Sequence, residues 1–267
     1  MTRSYARLEL ADGRRAYAEI RRGSADLLDR APWLGGQPTG ETIAGVDDVG
    51  RSSSTRLLAP VEPSKVVCVG RNYRAHAAEL GNPMPSEPLL FLKPPSSLLE
   101  PDGTLELPPP ELSCRVEHEV ELGLVIGRRV RRANESEAAE AIFGYTVVGD
   151  ITARDLQRKD KTWTRGKCMD GFCPTGPVVV SGLETAELRV RCTVNGQPRQ
   201  DGNTRDMAFS PAVIVAYTSG VMTLEPGDLI ATGTPEGVGP LHGGDTLSMI
   251  IDGIGELLID VRAAAEG

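Results

Sequence analysis

Apolar residues recur at every second position through much of this chain, and that period reads as strand. The clearest run covers residues 115–127, where Val120, Leu122, Leu124 and Ile126 fall on one face. Residues 5–10 and 15–20 flank Ala11-Asp12-Gly13, a hairpin that turns at Asp-Gly. Further strands are expected at 65–70, 145–150, 178–180, 188–194 and 228–232, then in a closing hairpin, 247–251 with 256–261 around Gly253. Helical patterns are few. Residues 71–81 are Ala-rich and end at a glycine, as a short helix does. Asn134 caps a helix over 135–143 with Glu137 in the capping-box position, 152–161 is a second, and Ser210 with Pro211 opens a third ending at Met222. The pattern predicts a mainly β protein with some α (α+β), its helices packed outside the sheet. Residues 1–60 read as a small N-terminal β-rich module with a loop at 35–40, residues 58–63 as a linker, and 61–267 as the main body.

At 267 residues the chain is long enough for a substantial core, in one large domain or a large plus a small one. A net charge of −8 argues against sequence-independent binding to nucleic acid or to an anionic membrane. No apolar run approaches the length of a membrane span, and the first twenty residues lack a signal-peptide core, so a cytoplasmic setting is expected. Cys68, Cys114, Cys168, Cys173 and Cys192 are odd in number and form no C-x-x-C pair, which suits reduced thiols.

The same alternation places Glu119 and Glu121 together on the face opposite Val120. Like charges side by side in a partly buried sheet are unfavourable unless something positive joins them. A third acid, Asp150, ends the apolar run 145–150. Three hard oxygen donors without a Cys or His pattern suit Mg²⁺, Mn²⁺ or Ca²⁺ better than zinc. A solvated outer face of an edge strand would read the same way, and Glu117 extends the acidic run as such a face would. His76 and Glu79, three apart on a short helix, have the spacing of an imidazole oriented by a carboxylate for water activation, or of an ordinary surface pair. The Pro-rich 82–88 after them reads as mobile. Lys167, in the loop 165–177, could hold a substrate carboxylate or a developing enolate, or be a plain exposed lysine. Residues 230–239 run from a strand into a glycine-rich turn of the kind that offers backbone N–H groups to an anion, without the Gly-Lys-Ser/Thr of a phosphate loop. His118 points to the apolar face of its strand, as a core residue or a support for the site.

Several blocks resemble, in order, the fumarylacetoacetate hydrolase family in its smaller bacterial-type branch. They are Gly70-Arg71-Asn72-Tyr73 with His76 and Glu79; Phe91-Leu92-Lys93-Pro94; His118-Glu119-Val120-Glu121-Leu122-Gly123; Gly149-Asp150 through Arg154-Asp155-Leu156-Gln157; Lys167 with Asp170-Gly171-Phe172; Arg199-Gln200-Asp201-Gly202-Asn203-Thr204; and Thr232-Gly233-Thr234-Pro235-Glu236-Gly237. The resemblance runs from about residue 58 to the C-terminus. It implies a mixed β-sheet roll and a homodimer or dimer of dimers. It implies Glu119, Glu121 and Asp150 as ligands of Mg²⁺ or Mn²⁺, and Lys167 as the active-site lysine. His76 and Glu79 become the water-activating pair on a lid that orders with substrate, and Gln157 and the backbone near Thr234 touch a small 2-oxo acid. The implied reactions are C–C hydrolysis of acylpyruvates, decarboxylation of oxaloacetate, or isomerisation of 2-hydroxyhepta-2,4-diene-1,7-dioate. A diacid needs a second cationic anchor, for which Arg71, Arg74, Arg158 and Arg165 are candidates. A member that binds a ligand without turning it over would have lost some of these residues, and all six ligand, lysine and dyad positions are filled. Cys168-Met169 departs from the family pattern and puts the pocket wall in question.

Overall fold

The run that alternates most strongly becomes two strands, Val116–His118 and Val120–Ile126, in a computed structural model that describes residues 1–264. They belong to different sheets, and the chain changes sheet at Glu119. Val116–His118 pairs with Thr152–Ala153 and Gly239–Pro240 in a small three-stranded sheet. Val120–Ile126 lies inside a twelve-stranded sheet, between Ile142–Gly149 and Leu229–Ala231. Most ladders of this sheet are antiparallel, but Leu229–Ala231 runs parallel to Val66–Gly70, so the sheet is mixed. A third, five-stranded sheet contains Gln197–Asn203, Arg189–Val194 and the closing hairpin Thr246–Ile251 with Gly255–Arg262.

The core lies between the large and five-stranded sheets. Val120, Leu122, Leu124 and Ile126 pack there in one cluster with Val190, Cys192, Leu247, Met249 and Leu257. The opposite face of the large sheet is covered too, by a second cluster around Val66, Cys68, Val125 and Val148. Every residue from Val116 to Ile126 is therefore buried, and the acids on this run do not form a solvated edge.

Among the described residues five α-helices lie outside the sheets: α1 Arg74–Glu79, α2 Glu135–Ala141, α3 Arg154–Lys159, α4 Thr164–Lys167 and α5 Pro211–Val221. The Asn134 capping box forms as its spacing predicts, and Ser210 caps α5. α2 stops before the expected Phe143 because Ile142 is already extended and starts the strand Ile142–Gly149. α3 starts later than expected because Thr152–Ala153 is drawn into a strand. The loop expected at 35–40 is shorter, since Pro38–Ala44 pairs with Ser24–Leu28. Residues 58–63 are not an exposed connection, because Leu58, Ala59 and Val61 are buried. The N-terminal strand Arg3–Leu10 pairs with Cys173–Ser181, so the first strands continue the large sheet. Among the described residues no helix is long and apolar enough to cross a membrane.

Candidate metal and catalytic site

The sheet switch at Glu119 builds the site. The Asp150 N–H donates to the Glu119 carbonyl at 2.9 Å, so Asp150 arrives opposite Glu119 as its own strand ends. Glu121 follows on the next same-face position. One carboxylate oxygen from each of Glu119, Glu121 and Asp150 lies within 4.8 Å of the others, and all three residues are buried.

Three buried cations meet these acids. Lys93 Nζ donates to Asp150 Oδ1 at 2.7 Å and to the Ile151 carbonyl at 3.1 Å. Lys167, the last residue of α4, donates to Glu119 Oε2 at 3.0 Å and to Asp150 Oδ2, and its ammonium stands 5.0 Å from the centre of the Phe91 ring. Arg154, the first residue of α3, joins Glu117 Oε2 at 2.6 Å, Glu119 Oε1 and Gln157 Oε1 at 2.6 Å. Lys167 is therefore not an exposed loop residue, and Glu117 is a buried ion-pair partner rather than part of a wet face.

The carboxylates differ in how their charge is met. Burial would raise the Glu119 carboxyl, but Lys167 and Arg154 outweigh it and hold it well below the usual range. Burial likewise opposes the Lys167 ammonium, and Asp150 and Glu119 overcome it and raise its pKa, keeping it charged. Glu121 accepts only the Gly233 N–H, at 2.7 Å, and forms no ion pair among the described residues. Burial, with Asp150 and Glu119 close by, pushes its carboxyl well above the usual range. Against Glu117, Glu119, Glu121 and Asp150 stand Lys93, Arg154 and Lys167, with Arg115 half exposed on Glu117. With all four acids ionised one buried negative charge would be in excess, and Glu121, which forms no ion pair among the described residues, is the acid left unmet. A divalent cation bound by these hard oxygens would remove that excess and leave the site attractive to an anion, so the residues present fit Mg²⁺ or Mn²⁺.

The triad opens into a cavity of about 300 Å³ that His76, Gln157, Lys167 and Thr234 also line. Glu79 does not line it. It stands behind His76, whose Nδ1 is 3.2 Å from Glu79 Oε2. The Thr234 hydroxyl is already used, donating to the Val120 carbonyl at 2.8 Å and accepting from Gln200 at 2.7 Å, so Thr234 has its backbone left to offer. Of the four arginine candidates, Arg71 and Arg158 line the cavity, and neither forms an ion pair among the described residues. Arg165 pairs with Asp160 instead, and Arg74 is exposed away from the cavity. Cys168 and Met169 are not on the cavity wall; Cys168 Sγ faces the Leu92 carbonyl at 3.3 Å. The glycine-rich turn presents its N–H groups to protein carboxylates, Gly233 to Glu121 and Gly237 to Glu79 at 3.0 Å. Lys93 and Arg154 carry a larger electrostatic share than sequence reasoning assigned them. Lys93 ending the apolar run Leu89–Lys93, and Arg154 one helical turn before Gln157, were the available signals.

Residues 65–262 match the model of the fumarylacetoacetate (FAA) hydrolase C-terminal family. The mitochondrial oxaloacetate tautomerase FAHD1 of Arabidopsis thaliana is 47% identical over 205 residues, covering 74% of this chain and 91% of that protein. The structure of a 2-hydroxyhepta-2,4-diene-1,7-dioate isomerase from Mycobacterium marinum superposes with a TM-score of 0.88 at 38% identity, covering 99% of this chain and 100% of that one. A fumarylpyruvate hydrolase of Pseudomonas aeruginosa, solved with Mn²⁺ and pyruvate, has a TM-score of 0.70 at 36% identity, covering 79% of this chain and 93% of its own.

Proposed function

The chain belongs to the fumarylacetoacetate hydrolase family, and on that premise we propose that it is a divalent-metal-dependent enzyme acting on small 2-oxo acids through an enolate. The observation that carries this is the convergence of Glu119, Glu121 and Asp150 beside a charged, buried Lys167. A divalent cation held by the three carboxylates would act as a Lewis acid on the 2-oxo group and take up part of the enolate charge. Lys167 can donate a further hydrogen bond to that oxygen as its charge grows. Arg154 holds Gln157 Oε1, which leaves the Gln157 Nε2–H groups for a substrate carboxylate. With Nδ1–H donated to Glu79, His76 keeps Nε2 free as a base.

In an acylpyruvate, His76 takes a proton from water, the hydroxide adds to the distal carbonyl, and the bond to the methylene carbon breaks. Its electron pair forms the pyruvate enolate, which is then protonated to pyruvate. In oxaloacetate the same enolate is left when CO₂ departs, and no water is needed. C–C hydrolysis and decarboxylation are the leading pair of reactions. A second reading is proton transfer on a diacid, in line with the names of the tautomerase and isomerase relatives; Arg71 and Arg158, two guanidinium groups on the cavity wall free to meet a distal carboxylate, favour a diacid, oxaloacetate included, over an acylpyruvate. A cytoplasmic homodimer is part of the same proposal.

Metal-stripped protein should turn over acetylpyruvate or oxaloacetate only after Mg²⁺ or Mn²⁺ is restored, and Asp150→Ala should abolish that turnover while unfolding cooperatively. Turnover by Asp150→Ala with normal metal dependence would sink the ligand assignment.

A further inference from the structure

The turn after Leu229–Ala231 touches both halves of the site. Its Gly233 N–H holds Glu121 and its Gly237 N–H holds Glu79. Both positions require glycine. Gly233 has φ +98° and its added Cβ would stand 2.7 Å from Asn72 Cβ; Gly237 has φ +94° and its Cβ would meet the Arg199 carbonyl at 2.1 Å.

Between these glycines the turn is gripped by Gln200, a residue of the five-stranded sheet that is 1% exposed and does not line the cavity. Its Nε2 donates to Thr234 Oγ1 at 2.7 Å and to the Pro235 carbonyl at 2.8 Å. Its Oε1 accepts from the Val120 N–H at 3.1 Å. A carbonyl only accepts and an N–H only donates, so these partners fix which way the amide points. His118 Nδ1, 3.1 Å from the same Oε1, must then carry the proton, and the ring backs the amide from behind. The Gln200 amide thus ties Val120, between two of the triad acids, to the middle of the turn.

We propose that Gln200 is a positioning residue: by setting one turn it aligns Glu121 in the metal triad and Glu79 behind His76 together. The proposal rests on the reading above for the roles of the triad and of His76 and for the choice of substrate. It predicts that the two ends of the turn loosen together. In the full-length Gln200→Met protein, the Gly233 and Gly237 amides should exchange with solvent roughly tenfold faster by NMR, while Leu122 and Val147 in the large sheet stay unchanged. With Mn²⁺ and acetylpyruvate, kcat should fall by about 10- to 100-fold with less than about a threefold change in KM. Gln200→Met should cost a smaller factor on top of Glu79→Gln than it costs the wild type, because only its effect through Glu121 is then left. Unchanged exchange at either glycine, or losses that multiply, would overturn the proposal. Should Gln200→Met fail to fold, Thr234→Val, which removes the hydroxyl between Gln200 and Val120, is read the same two ways. A wild-type protein inert to every 2-oxo acid tested would sink the proposed function, and the exchange measurement would still decide on Gln200.

Discussion

Replacing Glu121 with glutamine should have opposite effects on stability in the metal-free and metal-loaded protein. The triad oxygens lie within 4.8 Å of one another. At that distance two like charges repel by about 3.5 kcal/mol at an effective dielectric of about 20. Glu121 faces two such neighbours, and against them stand the Gly233 N–H and the more distant attraction of Lys167. The metal-free Glu121→Gln protein should therefore be more stable than metal-free wild type by on the order of 1 kcal/mol or more near pH 7.5. The sign with pH follows from the raised carboxyl. Below the unfolded pKa of about 4.3, Glu121 is protonated in both states and the repulsion is absent. As pH rises from there through the raised folded value, wild type loses this stability and Glu121→Gln does not, so the gap should open with pH. Mn²⁺ at about a hundredfold its Kd should add about 2.7 kcal/mol to wild type and much less to the variant, reversing the order. Urea unfolding in EDTA and in Mn²⁺, at pH 5 and 7.5, tests all of this. A variant less stable than wild type in EDTA at pH 7.5, or stabilised equally by Mn²⁺, would refute the reasoning.

Arg154→Met should destabilise the protein by about 3 kcal/mol in urea unfolding, because it removes the buried cation that Glu117 and Glu119 share and leaves them to the half-exposed Arg115 and to Lys167; a loss under about 1 kcal/mol would mean that Arg115 and Lys167 suffice. His76→Ala should reduce acetylpyruvate hydrolysis by about 100-fold or more and oxaloacetate decarboxylation far less, since only the former needs a base for water; equal losses would argue against that role. Arg71→Gln combined with Arg158→Gln should raise KM for oxaloacetate by at least about tenfold over any change for acetylpyruvate, as a charge-assisted contact is lost only with the diacid. Equal changes in both KM values would remove these arginines as anchors.

The parts of the fold that could be read from the sequence are those decided locally. The Asn134 capping box, the Asp-Gly hairpin and the closing hairpin depend on neighbours a few residues away, and they formed where the spacing placed them. The acids at Glu119, Glu121 and Asp150 were legible through period two and one strand end. Whether they faced water or a core was not, because that depends on a second sheet and a second cluster contributed from both ends of the chain. Gln200 stood in a quoted block, but its role was invisible for the same reason: it lies 80 residues from Val120 in sequence and meets it only when the five-stranded sheet packs beside the switch at Glu119. Lys93 and Arg154 stood in quoted motifs, but their importance follows from a count of buried charges that no local pattern reveals.

The pairing of Arg3–Leu10 with Cys173–Ser181 separates two kinds of boundary. The family match begins at residue 65, which invites a shortened protein that starts there. Such a protein would keep every residue of the candidate site and lose the covering of a strand that lies beside Ile142–Gly149, next but one to Val120–Ile126. Its Val179–Ser181 backbone would present open hydrogen-bonding groups along one side, a template for other chains to join. The opening residues are thus a permanent hem on the sheet, and removing them should give insoluble assemblies before it gives an inactive enzyme.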